Sequence, residues 1–187
     1  MSGGVDSSVA AYLLQQEGYE CAGVTMRLYR DDTPGATCTK SCCSDADEED
    51  AAFICYQLGI EHESVCYSKL FAERVIGDFI REYEHGRTPN PCIACNRYLK
   101  FDALLGYALE QGFDTLATGH YARITKDEAS GRFQLRKALD NTKDQSYVLY
   151  MLTQEQLVHL RFPLGELTKA QAREIAESAG LITARKH

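Results

Sequence analysis

Met1-Ser2-Gly3-Gly4-Val5-Asp6-Ser7-Ser8 opens the chain and runs directly into Val9-Ala10-Ala11-Tyr12-Leu13-Leu14, an apolar stretch of helical pattern. Paired glycines let the backbone turn tightly and approach a ligand with no β-carbon in the way. The serine hydroxyls and the following helix N-terminus then present donors to an anion. This is the architecture of a phosphate-cradling loop, and its bland alternative is a Ser/Gly turn that caps a helix. It is not the Walker kind: Gly18 and Gly23 have the Gly-x4-Gly spacing but are followed by Val24 rather than Lys, and no Gly-x-Gly-x-x-Gly occurs.

Outward from the loop, helical and strand patterns alternate. Gly18 stops the first helix, and Cys21 to Met26 reads as a buried strand. A Pro/Gly/Thr/Ser-rich loop from about Asp31 to Ser44 precedes a helix that Ser44 caps, with Asp45, Asp47 and Glu48 against its dipole and Gly59 at its end. A strand follows near His62 to Cys66, then helices from about Leu70 to Tyr83 and Phe101 to Gln111. A short strand, Thr115 to Thr118, delivers Gly119-His120. Residues 121–137 read as a projecting hairpin that turns at Ala129-Ser130-Gly131. A helical tail from about 144 includes a helix capped by Thr168 and ended by Gly180. Such alternation predicts an α/β fold with a parallel sheet covered on both faces and ligands at the carboxyl ends of its strands. Only Met1 precedes the loop, so the sheet's first strand is expected to be curtailed.

At 187 residues the chain buries one sizeable core and reads as a single domain over 1–187. It has no run of eighteen apolar residues and no secretory pattern, so no membrane partner and a cytoplasmic location are expected. Eight cysteines in a reducing compartment then read as thiols for chemistry or metal. The net charge of −7 is uneven: residues 1–63 carry 12 acids and 3 bases, whereas residues 85–145 carry 9 bases and 7 acids. RNA, if bound, belongs on the second half, although solvated surface charge explains the same count.

The second motif is Gly86-Arg87-Thr88-Pro89-Asn90-Pro91-Cys92-Ile93-Ala94-Cys95-Asn96-Arg97. Two prolines stiffen the backbone, and a Cys-x-x-Cys pair follows at once, expected just ahead of a helix N-terminus. That placement, with Arg97 and Lys100 near, favours a thiolate. A redox pair or nucleophile, half of a zinc or iron–sulfur site, and buried structural cysteines all fit the spacing.

Taken together, Ser2-Gly3-Gly4-Val5-Asp6-Ser7, the Gly86–Arg97 motif, Ala117-Thr118-Gly119-His120-Tyr121 and Lys143-Asp144-Gln145-Ser146-Tyr147 resemble the tRNA-specific 2-thiouridylases (MnmA), in that family's order and over essentially the whole chain. The loop itself is similar to those of ATP pyrophosphatases, which split ATP between its α and β phosphates. The resemblance implies an adenine-nucleotide α-hydrolase-like (Rossmann-like) domain that uses ATP and magnesium to adenylate the wobble uridine of tRNA before sulfur replaces its 2-oxygen. It also implies a small central domain and a C-terminal β-barrel absent from this chain, and a second cysteine beyond Ala184-Arg185-Lys186. The chain alone is therefore expected to be incomplete and inactive. Its implied partners are tRNA and a sulfur donor, either a cysteine desulfurase or a sulfur relay.

Residue by residue, the resemblance makes Met1, Ser2, Gly3, Gly4, Val5, Asp6 and Ser7 the ATP loop. Met26 touches the adenine, the Gly119 amide holds the nucleotide, and Cys95 is the catalytic cysteine. Asn90, Pro91 and Cys92 meet the target base, with Cys92 standing where many members have Asp; His120, Lys143, Asp144 and Gln145 contact tRNA. Without the resemblance, His120 is a satisfied structural histidine and residues 143–145 a helix-capping turn. Cys92 and Cys95 are also candidate ligands of an iron–sulfur cluster, to which Cys38, Cys42 and Cys43 add ligands unless they are incidental cysteines of a loop. Two other readings stay open: a different ATP pyrophosphatase, such as another tRNA thiolase or an amide-forming synthetase, and a noncatalytic nucleotide- or metal-binding module.

Overall fold

The structure, a computed structural model, describes residues 1–29 and 45–186. The expectations for the Asp31–Ser44 loop, for the Ser44 cap and for Cys38, Cys42 and Cys43 lie outside the described residues.

Helix α1 (Val5–Gln16) begins straight after Gly4 and is followed by β1 (Ala22–Arg27), α2 (Asp45–Leu58) and β2 (Glu61–Cys66). Helix α3 (68–84) runs without a break through Ser68–Phe71, Ala72–Ile76 and Gly77–Glu84. Helix α4 (91–110) does the same through Pro91–Ala94, Cys95–Leu104 and Leu105–Glu110. Next come β3 (Leu116–Ala117), β4 (Ala122–Lys126), β5 (Phe133–Lys137), α5 (Gln154–Val158), β6 (Leu160–Arg161) and α6 (Lys169–Ser178). No helix among the described residues is long and apolar enough to cross a membrane.

One expectation needs correction. The helix placed from about Phe101 begins ten residues earlier, at Pro91, where Asn90 accepts the Cys92 amide at 3.0 Å and proline fills the first helical position. Cys92 and Cys95 therefore lie inside the first turns of α4, not ahead of it.

The strands form three two-stranded ladders: β1 with β2 and β3 with β6 in parallel, and β4 with β5 antiparallel. Residues 1–7 touch both parallel pairs. At one end the Met1 amine donates to the Val24 carbonyl, and the Thr25 hydroxyl donates to the Met1 carbonyl at 3.1 Å. At the other end the Asp6 and Ser7 backbone abuts Gly119, just past β3. Met1 thus lies alongside β1, and the loop that follows it reaches Gly119 beyond β3.

Among the described residues three apolar clusters hold the layers, the smallest being Leu28, Phe71, Val75 and Leu99 between β1, α3 and α4; the other two are larger. One gathers Phe101, Leu104, Leu149, Leu160 and Phe162 beneath the β4–β5 hairpin; the other gathers Val9, Ile54, Leu164 and Ala176 between α1, α2 and α6. Each fully buried leucine among them contributes ~1.5–3 kcal/mol.

Candidate nucleotide and thiol site

The loop takes its shape from Gly3 and from its own hydroxyls. Gly3 sits at φ +63, and a β-carbon there would run into the backbone of Asp47 at the start of α2. Ser7 Oγ donates to the Gly4 carbonyl at 3.1 Å while accepting the Ser2 amide at 3.2 Å and lying 3.0 Å from Ser2 Oγ. Gly4 is the N-cap of α1 and carries no side-chain cap, and the first intrahelical bond is from the Ser8 amide to the Gly4 carbonyl. The amides of Val5, Asp6 and Ser7 thus have no acceptor within the helix and share its positive end. An oxyanion such as a phosphate fits that set of donors.

Gly119 closes the other side. Its absent β-carbon would sit 2.7 Å from the Asp6 carbonyl carbon and 2.9 Å from the Ser7 nitrogen, so only glycine lets the two backbones approach this closely. Met1, Ser2 to Ser7 and Gly119 therefore come together as one site. Met26, half-buried in β1, stands one residue past Thr25, whose hydroxyl holds Met1.

Two lysines reach this loop from the far end of the chain, and neither was legible in the sequence. Lys169, the first residue of α6, places Nζ 2.6 Å from Asp6 Oδ1, to which the Tyr121 hydroxyl also donates at 3.0 Å. Burial, and then the charge of Asp6, push the Tyr121 phenol well above its ordinary range. Lys186 donates to the Gly3 carbonyl at 3.0 Å and to Asp47 and Asp50 at 2.8 and 2.5 Å. Burial opposes its charge, but the two carboxylates outweigh that and hold the ammonium above the usual lysine range. The loop lacks a Walker lysine, and the fold supplies cations from elsewhere. The one sequence signal was the Thr168 cap, which fixes where Lys169 must fall.

The second motif forms a separate face. Asn90, Pro91 and Cys92 are exposed and Cys95 is half-buried one turn further along α4. Asn96 is 2% exposed, and its Nδ2 donates to the Val148 carbonyl at 3.3 Å, which ties the cysteine-bearing helix to the segment that follows Lys143-Asp144-Gln145. In that segment Asp144 accepts the Ala138 amide at 2.8 Å and the Ser146 hydroxyl at 2.7 Å, and Gln145 bonds the Tyr121 backbone at both its amide and its side-chain oxygen. Asp144 and Gln145 thus build the turn, while Lys143 is exposed. His120 is 7% exposed, packed by Phe101 and Phe162, with Nδ1 2.7 Å from the Thr118 hydroxyl. Burial, with the charge of Lys100 adding, pulls its pKa down to about 3. In this structure its ring belongs to the core. Among the described residues no three His, Cys, Asp or Glu side chains converge as metal ligands.

Residues 1–187 match the tRNA methyl transferase HUP domain. Among curated proteins, the tRNA-specific 2-thiouridylase MnmA of Clostridioides difficile is 50% identical over 181 residues, covering 97% of this chain and 50% of that protein. The namesakes from Clostridium acetobutylicum and, as MnmA 2, from Thermoanaerobacter sp. are 51% and 50% identical, again over 50% and 51% of their lengths. The chain thus spans about half the length of the curated relatives it matches. A solved structure described as a predicted subunit of tRNA methyltransferase from Methanocaldococcus jannaschii overlays with a TM-score of 0.52 at 18% identity, covering 95% of this chain and 71% of the other. The fold is accordingly the Rossmann-like α/β fold of HUP domains. With a match across every residue and relatives at half identity, the chain belongs to the tRNA methyl transferase HUP-domain family.

Proposed function

We propose that this chain is the ATP-binding, thiol-bearing half of a tRNA-uridine 2-sulfurtransferase. The observation that carries the reading is the convergence of three uncapped helix amides, the Gly119 backbone and the Asp6 carboxylate on one loop. ATP is a substrate of this reaction: the uridine 2-oxygen displaces pyrophosphate from the α-phosphorus and becomes part of a good leaving group, AMP. The amides of Val5, Asp6 and Ser7 hold phosphate oxygens, and Lys169 stands ready to balance their charge. The Asp6 carboxylate suits a magnesium ion, which favours oxygen ligands and supplies charge neutralisation when bound.

On the α4 face, Asn90, Pro91 and Cys92 form the stiff exposed edge that meets the extruded base, with Lys143 nearby in sequence to the turn that braces α4. Sulfur arrives as a persulfide from a donor protein or from the rest of the enzyme and displaces AMP, leaving the base joined through a disulfide to the donor cysteine. The Cys95 thiolate then attacks the donor sulfur, so that the base departs as the thione and a Cys95–donor disulfide remains. An iron–sulfur route through Cys92 and Cys95, one helical turn apart, needs further ligands from outside the described residues. A tRNA substrate and working thiols suit the reducing cytoplasm.

The test is calorimetric titration of the chain with ATP and magnesium. Wild type binds, and Asp6→Ala, still folded by circular dichroism, loses at least tenfold in affinity. Equal affinity in the two proteins refutes the loop assignment. Binding without pyrophosphate release in the reassembled enzyme with tRNA supports the noncatalytic module instead.

A further inference from the structure

The β4–β5 hairpin carries an arrangement that costs stability and is not used by the nucleotide site. Between Ala122 and Lys137 it holds five bases, Arg123, Lys126, Arg132, Arg136 and Lys137, against two acids, Asp127 and Glu128. Register sets Arg123 directly opposite Arg136 and Thr125 opposite Gln134. These four lie on the face opposite Ile124 and Leu135, which pack into the Phe101–Leu160 cluster; Arg136 is exposed there, Arg123 and Gln134 are half-buried and the Thr125 hydroxyl is buried. Like charges directly opposite on one face of an antiparallel pair destabilise it.

Neither arginine is in salt-bridge contact with a carboxylate among the described residues, although Asp127, held below the usual carboxylate range chiefly by the Ser130 hydroxyl, also feels the charge of Arg136. Arg123 Nε donates to the Lys137 carbonyl at 2.9 Å, and Arg136 donates to Gln134 Oε1 at 2.7 and 3.2 Å. The turn's own acid, Asp127, is held by the Ser130 amide and hydroxyl. Neutral acceptors thus orient both guanidiniums, of which Arg123 is half-buried and Arg136 exposed, on a chain whose net charge is −7. The hairpin also springs from the site: Tyr121, the residue before β4, bonds Asp6 of the loop, and Gln145 bonds the Tyr121 backbone.

We propose that the Arg123–Arg136 face is a docking surface for the phosphodiester backbone of an RNA strand. Guanidiniums match phosphate geometry through paired N–H donors, and their spacing across a ladder suits successive phosphates of one strand. Contacts of this kind set register on the RNA without reading its sequence. An acidic protein segment is the competing occupant. The four-residue patch has no apolar centre, which protein interfaces carry and backbone contacts do not need.

The inference rests on the tRNA-directed reading above, and one experiment separates the two. Binding of an unmodified anticodon stem-loop RNA is measured across a salt series for wild type, for R123Q/R136Q and for R123K/R136K. Wild type binds with a steep salt dependence. The glutamine pair lowers the slope of log affinity against log salt by about two, one per lost phosphate contact, while the lysine pair keeps it. ATP affinity and melting temperature do not fall in the glutamine pair, since a repulsion has been removed. R136Q alone, which loses only a bond to its near neighbour Gln134, gives a drop of about one. If wild type binds RNA and R123Q/R136Q binds with the same slope, the hairpin assignment is overturned and the tRNA reading stands. If wild type binds no RNA at low salt, both fall.

Discussion

His120 offers a sharp test of the packing that supports Gly119. An unfolded histidine titrates at its ordinary value of 6.5, whereas in the fold its pKa lies at about 3. The folded state therefore refuses a proton that the unfolded state takes up, and stability present above pH 6.5 drains away as pH falls toward 3. At pH 5 the unfolded ring is almost wholly protonated and the folded ring almost wholly neutral, a difference of ~2 kcal/mol against the native state. At pH 7 the same difference is only ~0.2 kcal/mol. Carboxylates such as Glu48, held below their usual range by Arg27, also weaken the fold in acid, so the histidine must be isolated by subtraction. Urea unfolding followed by circular dichroism, at pH 7 and pH 5, compares wild type with His120→Gln, whose amide can still meet the Thr118 hydroxyl. Wild type is the more stable at pH 7, and its advantage shrinks by ~2 kcal/mol at pH 5. An advantage equal at the two pH values would refute the claim that the ring is buried neutral.

Two further outcomes bear on the site. Gly119→Ala forces a β-carbon against the Asp6 and Ser7 backbone, so urea unfolding should show a loss of ~1–3 kcal/mol and ATP titration an affinity at least tenfold weaker; unchanged affinity would mean that the loop relaxes freely. In the reassembled enzyme, Cys95→Ser should leave ATP and RNA binding intact and abolish 2-thiouridine in nucleoside mass spectra, whereas full thiolation would remove Cys95 from the chemistry. Loss in Cys92→Ser as well, together with loss of bound iron, would favour the cluster route.

The loop was legible in the sequence because its chemistry is local: two glycines, two serines and a helix all lie within a few residues. The ends of α6 were legible for the same reason, since Thr168 and Gly180 act on their immediate neighbours. The start of α4 was misplaced although its signal was present. Asn90-Pro91 is a cap followed by a first-turn proline, and the thiols drew the reading toward a loop. The remainder depended on distance. Nothing near Lys169 announces Asp6, Asn96 gives no hint of Val148, and a histidine after Gly119 is equally compatible with a surface contact and a core seat.

The reach of Lys169 and Lys186 also fixes an order of events during synthesis. Residues 1–8 leave the ribosome well before the cations that bond Asp6, Gly3 and Asp47, which are 163 and 183 residues behind Asp6 and Gly3. At ordinary elongation rates that is a delay of roughly ten to thirty seconds, through which Asp6 has neither its lysine nor Tyr121 for most of the interval. Contacts of such long sequence separation form late and together. If the loop takes nucleotide as proposed, a nascent chain is a poor competitor for it until translation has passed α6 and Lys186.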